Sequence, residues 1–239
     1  MKRETIIISD LHLWMPEANP DKLLDFLKKN SCENLIINWD LVDGLYLKIL
    51  GRRKNTFDDF FDELEKIRKK NQTKLFYIRW NHEIFIDKIA ALHHFKILDD
   101  ITYTSFGKKY YICHGHEFDF ANRKVGILFY IAFFWGSLTH TINRAYNKIR
   151  KSLGMKRSSL ITPMKKLAKI LIWGEKKLDK KFYQKAIDQK CDGIICGHLH
   201  TAEKRKLWDI HYLNSGDWME NCSALAEDNK GNRKILYAK

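Results

Sequence analysis

With 239 residues, 45% of them apolar and 13% aromatic, the chain has material for one sizeable core, which excludes disorder as a description of the whole. Twelve glycines and three prolines, with no fixed-period repeat, exclude collagenous, linker-dominated and solenoid architectures. The net charge of +14 is concentrated in one segment, since between Asn122 and Lys181 fifteen Lys or Arg stand against only Glu175 and Asp179.

In chain order, Thr5–Ser9 predicts a strand, Pro20–Asn30 a helix, Asn34–Asn38 a strand, Phe57–Lys70 an amphipathic helix and Leu75–Arg79 a strand. Apolar runs at Tyr110–Cys113, Asp192–Cys196, His211–Leu213 and Ile235–Tyr237 predict further strands. The long stretch Asn122–Gln189 is basic and reads as largely helical. The pattern predicts an α/β core built from residues 1–121 and 190–239, with residues 122–189 inserted as a helical cap. Val125–Leu138 is the longest apolar run, but its 14 residues fall short of the roughly 20 that a spanning helix needs. The odd, scattered set Cys32, Cys113, Cys191, Cys196 and Cys222, behind an N-terminus that passes straight into strand-like sequence, points to a reduced cytoplasmic compartment.

Polar clusters follow the strands. The first strand runs into Asp10-Leu11-His12, the second into Asp40-Leu41-Val42-Asp43 and the third into Asn81-His82-Glu83. Later strands deliver His114-Gly115-His116 and Gly197-His198-Leu199-His200. Asp-x-His alone is a weak signal, and Gly-His-x-His after an apolar strand is a better one. The carboxyl ends of strands in open α/β sheets converge on one edge, so the ordered set of five predicts a single metal site. His93, His94, His140 and His211 fall outside these clusters and are read as surface or partly buried histidines.

This series resembles the calcineurin-like metallophosphoesterases, whose pattern is Asp-x-His, Gly-Asp-x-x-Asp, Gly-Asn-His-(Asp/Glu), a later His, and Gly-His-x-His. Within that superfamily it looks most like the UDP-2,3-diacylglucosamine pyrophosphatase branch, through His114-Gly115-His116-Glu117-Phe118-Asp119, the basic insertion, Gly197 to Glu203 and Asn214-Ser215-Gly216-Asp217-Trp218. The resemblance implies a four-layer α-β-β-α sandwich. It also implies one metal on Asp10, His12, Asp40 and His200 and a second on Asp40, Asn81, His114 and His198, with Asp40 bridging. An oxygen and imidazole set suits Mn²⁺, with Fe or Zn²⁺ as alternatives, at the separation of roughly 3.5–4 Å usual for two-metal hydrolases. His82 resembles the histidine that faces the leaving group, and Asp43 is placed to orient it. A loop-stabilising His82–Asp43 pair is the plainer reading. His116 stands where relatives often carry aspartate, and Asn214–Trp218 is expected to buttress the metal loops.

The implied reaction is hydrolysis of the diphosphate of a lipid-linked sugar nucleotide to UMP and 2,3-diacylglucosamine 1-phosphate, a step of lipid A biosynthesis. Basic residues beside an apolar, aromatic-rich run suit an anionic membrane surface, which predicts a peripheral protein of the cytoplasmic membrane. A nuclease or nucleotide phosphodiesterase would use the same metals, but the continuous block Ile127–Trp135 disfavours a wet nucleic-acid interface. A catalytically degenerate, binding-only protein is a third reading.

One departure supports that third reading. Trp39-Asp40 and Trp80-Asn81 stand where the resemblance expects Gly-Asp and Gly-Asn, and Trp14 and Trp208 likewise fall on expected glycines. Either the site has diverged, with indoles reshaping or closing it, or the gene uses UGA for glycine and these are misread codons.

Overall fold

The structure, a computed structural model, describes residues 2–13, 15, 18–42, 54–79, 94–98, 101–118, 146, 149–150, 152–153 and 175–238. Asp43, Asn81, His82, His93, His140, Trp14, Trp80 and the apolar run Val125–Leu138 lie outside the described residues. The chain divides into two compact units, Met1–Gly115 with Tyr183–Lys239, and His116–Phe182.

The first unit carries two sheets. Their strands are β1 (Arg3–Ser9), β2 (Cys32–Asn38), β3 (Lys74–Ile78), β4 (Phe95–Leu98), β5 (Ile101–Ser105), β6 (Lys108–Ile112), β7 (Gly193–Cys196), β8 (Glu203–Leu207), β9 (Ile210–Asn214), β10 (Ser223–Glu227) and β11 (Arg233–Tyr237). The helices are α1 (Pro20–Lys29), α2 (Lys54–Asn71) and α3 (Glu175–Asp188), the last shared between the two units. The first sheet runs β11-β10-β1-β2-β3-β4 and the second β5-β6-β7-β9-β8. β1 to β4 are parallel, as are β6, β7 and β9, while β5, β8, β10 and β11 pair antiparallel.

Strict alternation along strands buried on both faces explains the layering. Ile6 and Ile8 of β1, with Leu35 and Ile37 of β2 and Leu75 and Tyr77 of β3, pack against Leu23, Phe26 and Leu27 of α1 and Phe60, Phe61 and Leu64 of α2. The intervening Ile7, Ile36 and Ile78 turn to the second sheet, meeting Tyr110, Ile112, Ile195 and Leu213. On the far side of that sheet the C-terminal half of α3 is in contact, Lys185 Nζ lying 4.8 Å from the Tyr111 ring centroid. The fold is thus an α-β-β-α sandwich. α1 begins with Pro20 and Asp21 and ends in Lys28 and Lys29, the charge order that the helix dipole favours.

Four strands were not predicted from sequence: β4, β5, β8 and β10. In the described part of the second unit, Lys181 Nζ donates to the Phe118 carbonyl at 2.9 Å, and Phe118 and Phe182 meet edge to face at 4.9 Å. No helix among the described residues is long and apolar enough to cross a membrane. All five cysteines are free thiols.

Candidate metal centre

Asp10 follows β1, Asp40 follows β2, His114 follows β6 and His198 follows β7, so four loops deliver side chains to one edge of the first unit. The loops are locked by backbone bonds. The Asp40 carbonyl accepts both Leu11 N–H at 2.9 Å and His12 N–H at 2.8 Å, and Leu13 N–H reaches the Leu41 carbonyl at 3.0 Å. Gly197 N–H donates to the His114 carbonyl at 3.0 Å, which ties the third and fourth loops together. The Asn38 side-chain amide donates to the Cys113 carbonyl at 2.9 Å and so joins the two sheets beside the site.

Asp10, His12, Asp40, His198 and His200 all have positive φ, between 44° and 58°. Asp and His tolerate this left-handed backbone better than most residues, and here it turns successive side chains to the same point. Gly197 permits the closest approach. A Cβ at that position would collide with the Asp10 carboxylate and with Ser9.

Six predicted ligands come together. Asp10 Oδ1 lies 3.3 Å from His200 Nε2, and the His12 and His200 rings stack at 5.8 Å. Asp40 Oδ2 lies 3.2 Å from His114 Nε2 and 3.8 Å from His12 Nε2, between the two predicted halves. His198 Nδ1 is 3.2 Å from His114 Nε2. Two triads have ligand atoms within 4.8 Å of one another, Asp10–His12–His200 and Asp10–Asp40–His114. Asp10 is therefore common to both triads, whereas the resemblance gives the shared role to Asp40. Asn81, His82 and Asp43 lie outside the described residues, as does the His116 side chain.

The electrostatics of the two carboxylates differ in sign. Burial raises the Asp10 pKa, and the nearby Asp40 charge adds to this against the opposing pull of His114 and His12. Partial burial also pushes Asp40 upward, but His114, His12 and His198 outweigh it and hold the group well below the usual carboxylate range. Two carboxylates and four imidazoles are a donor set for divalent ions. A cation between them would neutralise the fully buried Asp10, a charge that is expensive to hide without a partner. The residues present fit a metal.

The Asn214–Trp218 segment packs behind these loops. Asn214 Nδ2 donates to the Gly197 carbonyl at 2.8 Å, Ser9 and Ser215 share a hydroxyl hydrogen bond of 2.7 Å, and Trp218 N–H donates to the Asp10 carbonyl at 3.1 Å. Asp217 Oδ1 accepts Met219 N–H at 2.8 Å, while Asn221 Nδ2 reaches the His200 carbonyl at 2.7 Å. Sequence reasoning missed Ser9 and Asn38. Their signal is a polar residue closing an otherwise apolar strand, a place shared by Asn214, and all three are fully buried.

Trp39 is the unexpected neighbour. Its indole is buried and stacks on His114 with ring centroids 5.0 Å apart and planes 8° from parallel. Of the histidines set apart from the site, His94 lies 3.7 Å from Glu65 on α2 and His211 shares a hydrogen bond with the Tyr110 hydroxyl at 3.0 Å.

No family model matches the sequence, and no curated protein matches it significantly. Solved structures align over nearly the whole chain at low identity. A novel archaeal phosphodiesterase covers 98% of this chain and 98% of its own at 14% identity and a TM-score of 0.48. Vps29 from Entamoeba histolytica in complex with Zn²⁺ covers 98% and 97% at 13% identity and 0.46. The phosphoesterase YfcE from E. coli covers 98% and 99% at 13% identity and 0.44. The reading of the site rests on its own residues.

Proposed function

We propose that this chain is a metal-dependent phosphoesterase acting on a lipid-linked sugar nucleotide of the UDP-2,3-diacylglucosamine type. The observation that carries the reaction class is the convergence of Asp10, His12, Asp40, His114, His198 and His200 from four loops that follow strands of both sheets. Asp10, His12, Asp40 and His200 would hold one divalent ion, and Asp40, His114 and His198, with Asn81, a second. Such ions, when bound, screen phosphoryl oxygens and acidify water, the chemistry that a negatively charged diester requires. Asp40 Oδ2, lying between His12 and His114, sets the spacing of the two halves, and Asp10 accepts the His198 N–H at 3.0 Å to fix the last loop. His82, oriented by Asp43, protonates the leaving group. The substrate choice is supported by the motif resemblance and by the fifteen basic residues between Asn122 and Lys181, which suit an anionic membrane surface carrying the lipid.

The test offers purified, Mn²⁺-loaded protein UDP-2,3-diacylglucosamine, a cyclic nucleotide and single-stranded DNA. Release of UMP from the first alone is expected. Cleavage of either of the others instead would overturn the substrate, and no hydrolysis of any of them would overturn the reaction class. His82→Ala is expected to retain metal while losing on the order of 10² to 10⁴ in rate. Reversing Lys165, Lys166 and Lys169 to Glu is expected to weaken sedimentation with anionic vesicles, and unchanged sedimentation would remove the membrane partner.

A further inference from the structure

We infer that glycine, not tryptophan, occupies positions 39 and 208 in the protein its own cells make. Three tryptophans are among the described residues, and they divide sharply. Trp218 is an ordinary core residue, almost fully buried and edge to face with Phe26 at 5.3 Å. Trp39 and Trp208 instead hold φ values of +67° and +52°. In left-handed backbone a Cβ crowds the following carbonyl oxygen, so glycine is the default there and a bulky side chain is a genuine outlier. Asp10, His12, Asp40, His198 and His200 share the conformation and belong to residue types that tolerate it, while Gln72, Phe106, Lys190 and Cys222 also hold it, Phe106 being the one other aromatic among them.

Position 208 also demands this backbone for a structural reason. Leu207 pairs with Ile210, so Trp208 and Asp209 form the two-residue turn of the β8–β9 hairpin. Such turns match the twist of their strands when the central residues are left-handed, which is why Gly, Asn and Asp dominate them. The β5–β6 turn, between Ser105 and Lys108, holds both Phe106 and Gly107 left-handed, at +49° and +73°, whereas in the β8–β9 turn only the first central residue, Trp208, is left-handed, the position that a type II′ turn gives to glycine. At its own turn Trp208 is 63% exposed, its indole meeting Tyr183 edge to face at 5.0 Å, so burial does little to offset the strain. Trp39 sits between β2 and Asp40, which is left-handed in its turn at +46°.

Composition agrees with geometry. The chain has 12 glycines and 7 tryptophans, against roughly 17 glycines at the usual frequency of about 7% for this length. A genetic code that reads UGA as glycine, translated with UGA as tryptophan, produces this exchange at any position regardless of fold. At position 39 the consequence reaches the candidate metal centre. Glycine would uncover the face of His114 on which the indole now stacks and free the Asp40 turn from its strain.

Residue identity is read directly by the codons and by peptide masses of the protein isolated from its source cells, so the outcome is independent of any hydrolysis assay. UGA codons at 39 and 208 with glycine in the corresponding peptides are expected. A UGG codon, or a tryptophan-containing peptide, at either position overturns the inference. As a second readout, Trp208→Gly in the tryptophan-containing protein is expected to raise Tm by roughly 2–4 °C, and an unchanged or lower Tm would overturn the strain argument. Hydrolysis by the glycine-containing protein then tests the phosphoesterase reading separately.

Discussion

The Asp10 half of the candidate centre and the Asp40 half follow neighbouring parallel strands, yet they are held differently. Asp10 is fully buried, and its surroundings, Ser9, Gly197, the His198 amide and the Asn214–Trp218 segment, close on it from three loops. Asp40 keeps a third of its side chain exposed and meets chiefly imidazoles. One half is an enclosed seat and the other opens to solvent. The contrast teaches that the buried carboxylate fixes where an ion can sit, while the exposed one is the side a ligand from solvent would meet.

The largest effects come from the carboxylates themselves. Asp10→Ala and Asp40→Ala are both expected to reduce Mn²⁺-dependent turnover to background, with metal content measured by atomic emission falling alongside. They should part company in stability. Asp10→Ala removes the acceptor of the half-buried His198 amide, a loss of about 1 kcal/mol visible as a lower Tm, whereas Asp40→Ala should leave Tm nearly unchanged. Equal shifts would erase the contrast.

Next in size is Gly197→Ala. The new methyl group meets the Asp10 carboxylate and Ser9, and overpacking of this kind costs about 1–3 kcal/mol. Metal affinity by titration calorimetry should fall with it, because the enclosed seat has no spare room. Asn221→Ala should do less, removing the bond that steadies the His200 carbonyl and another to the Asp217 carboxylate. An affinity loss of about tenfold is expected, at the lower end for residues that support metal ligands.

The smallest effect lies far from the site and serves as its measure. Glu65 on α2 accepts Arg68 Nε at 2.6 Å and Nη2 at 2.7 Å, and the Arg68 hydrogen bonds hold its pKa below the ordinary 4.5. A depressed carboxylate stabilises the fold above its unfolded pKa and stops doing so as pH falls through the folded value. Glu65→Gln should therefore cost less than ~1 kcal/mol at pH 7, and its Tm deficit against wild type should shrink as pH drops below 4.5.

The parallel core was legible because its strands are β-branched and buried on both faces. Ile6-Ile7-Ile8 and Ile36-Ile37 announce strands whatever lies around them. β8 reads Glu-Lys-Arg-Lys-Leu, an edge strand whose charges guard against stray pairing, and nothing apolar betrays it. β10 reads Ser-Ala-Leu-Ala-Glu, small residues that suit a crowded slot beside β1 but carry little strand preference of their own. The ligands were legible as motifs at strand ends. Their supports were not, because Ser9, Asn38 and Asn214 act through partners at sequence separations of 206, 75 and 17, which no local pattern encodes.

The pairing of β1 with β10, Thr5 opposite Glu227, has a consequence for synthesis. One of the two neighbours of β1, β10, is made some two hundred residues after it. Until then its edge offers unpaired backbone groups beside Ile6, Ile7 and Ile8, the kind of apolar strand that other nascent chains can capture. The Asp10 seat is equally late, since Ser215 and Trp218 complete it. A chain stalled before residue 215 therefore carries nearly every ligand and still lacks the frame that would hold an ion, so metal loading must await the synthesis of this segment.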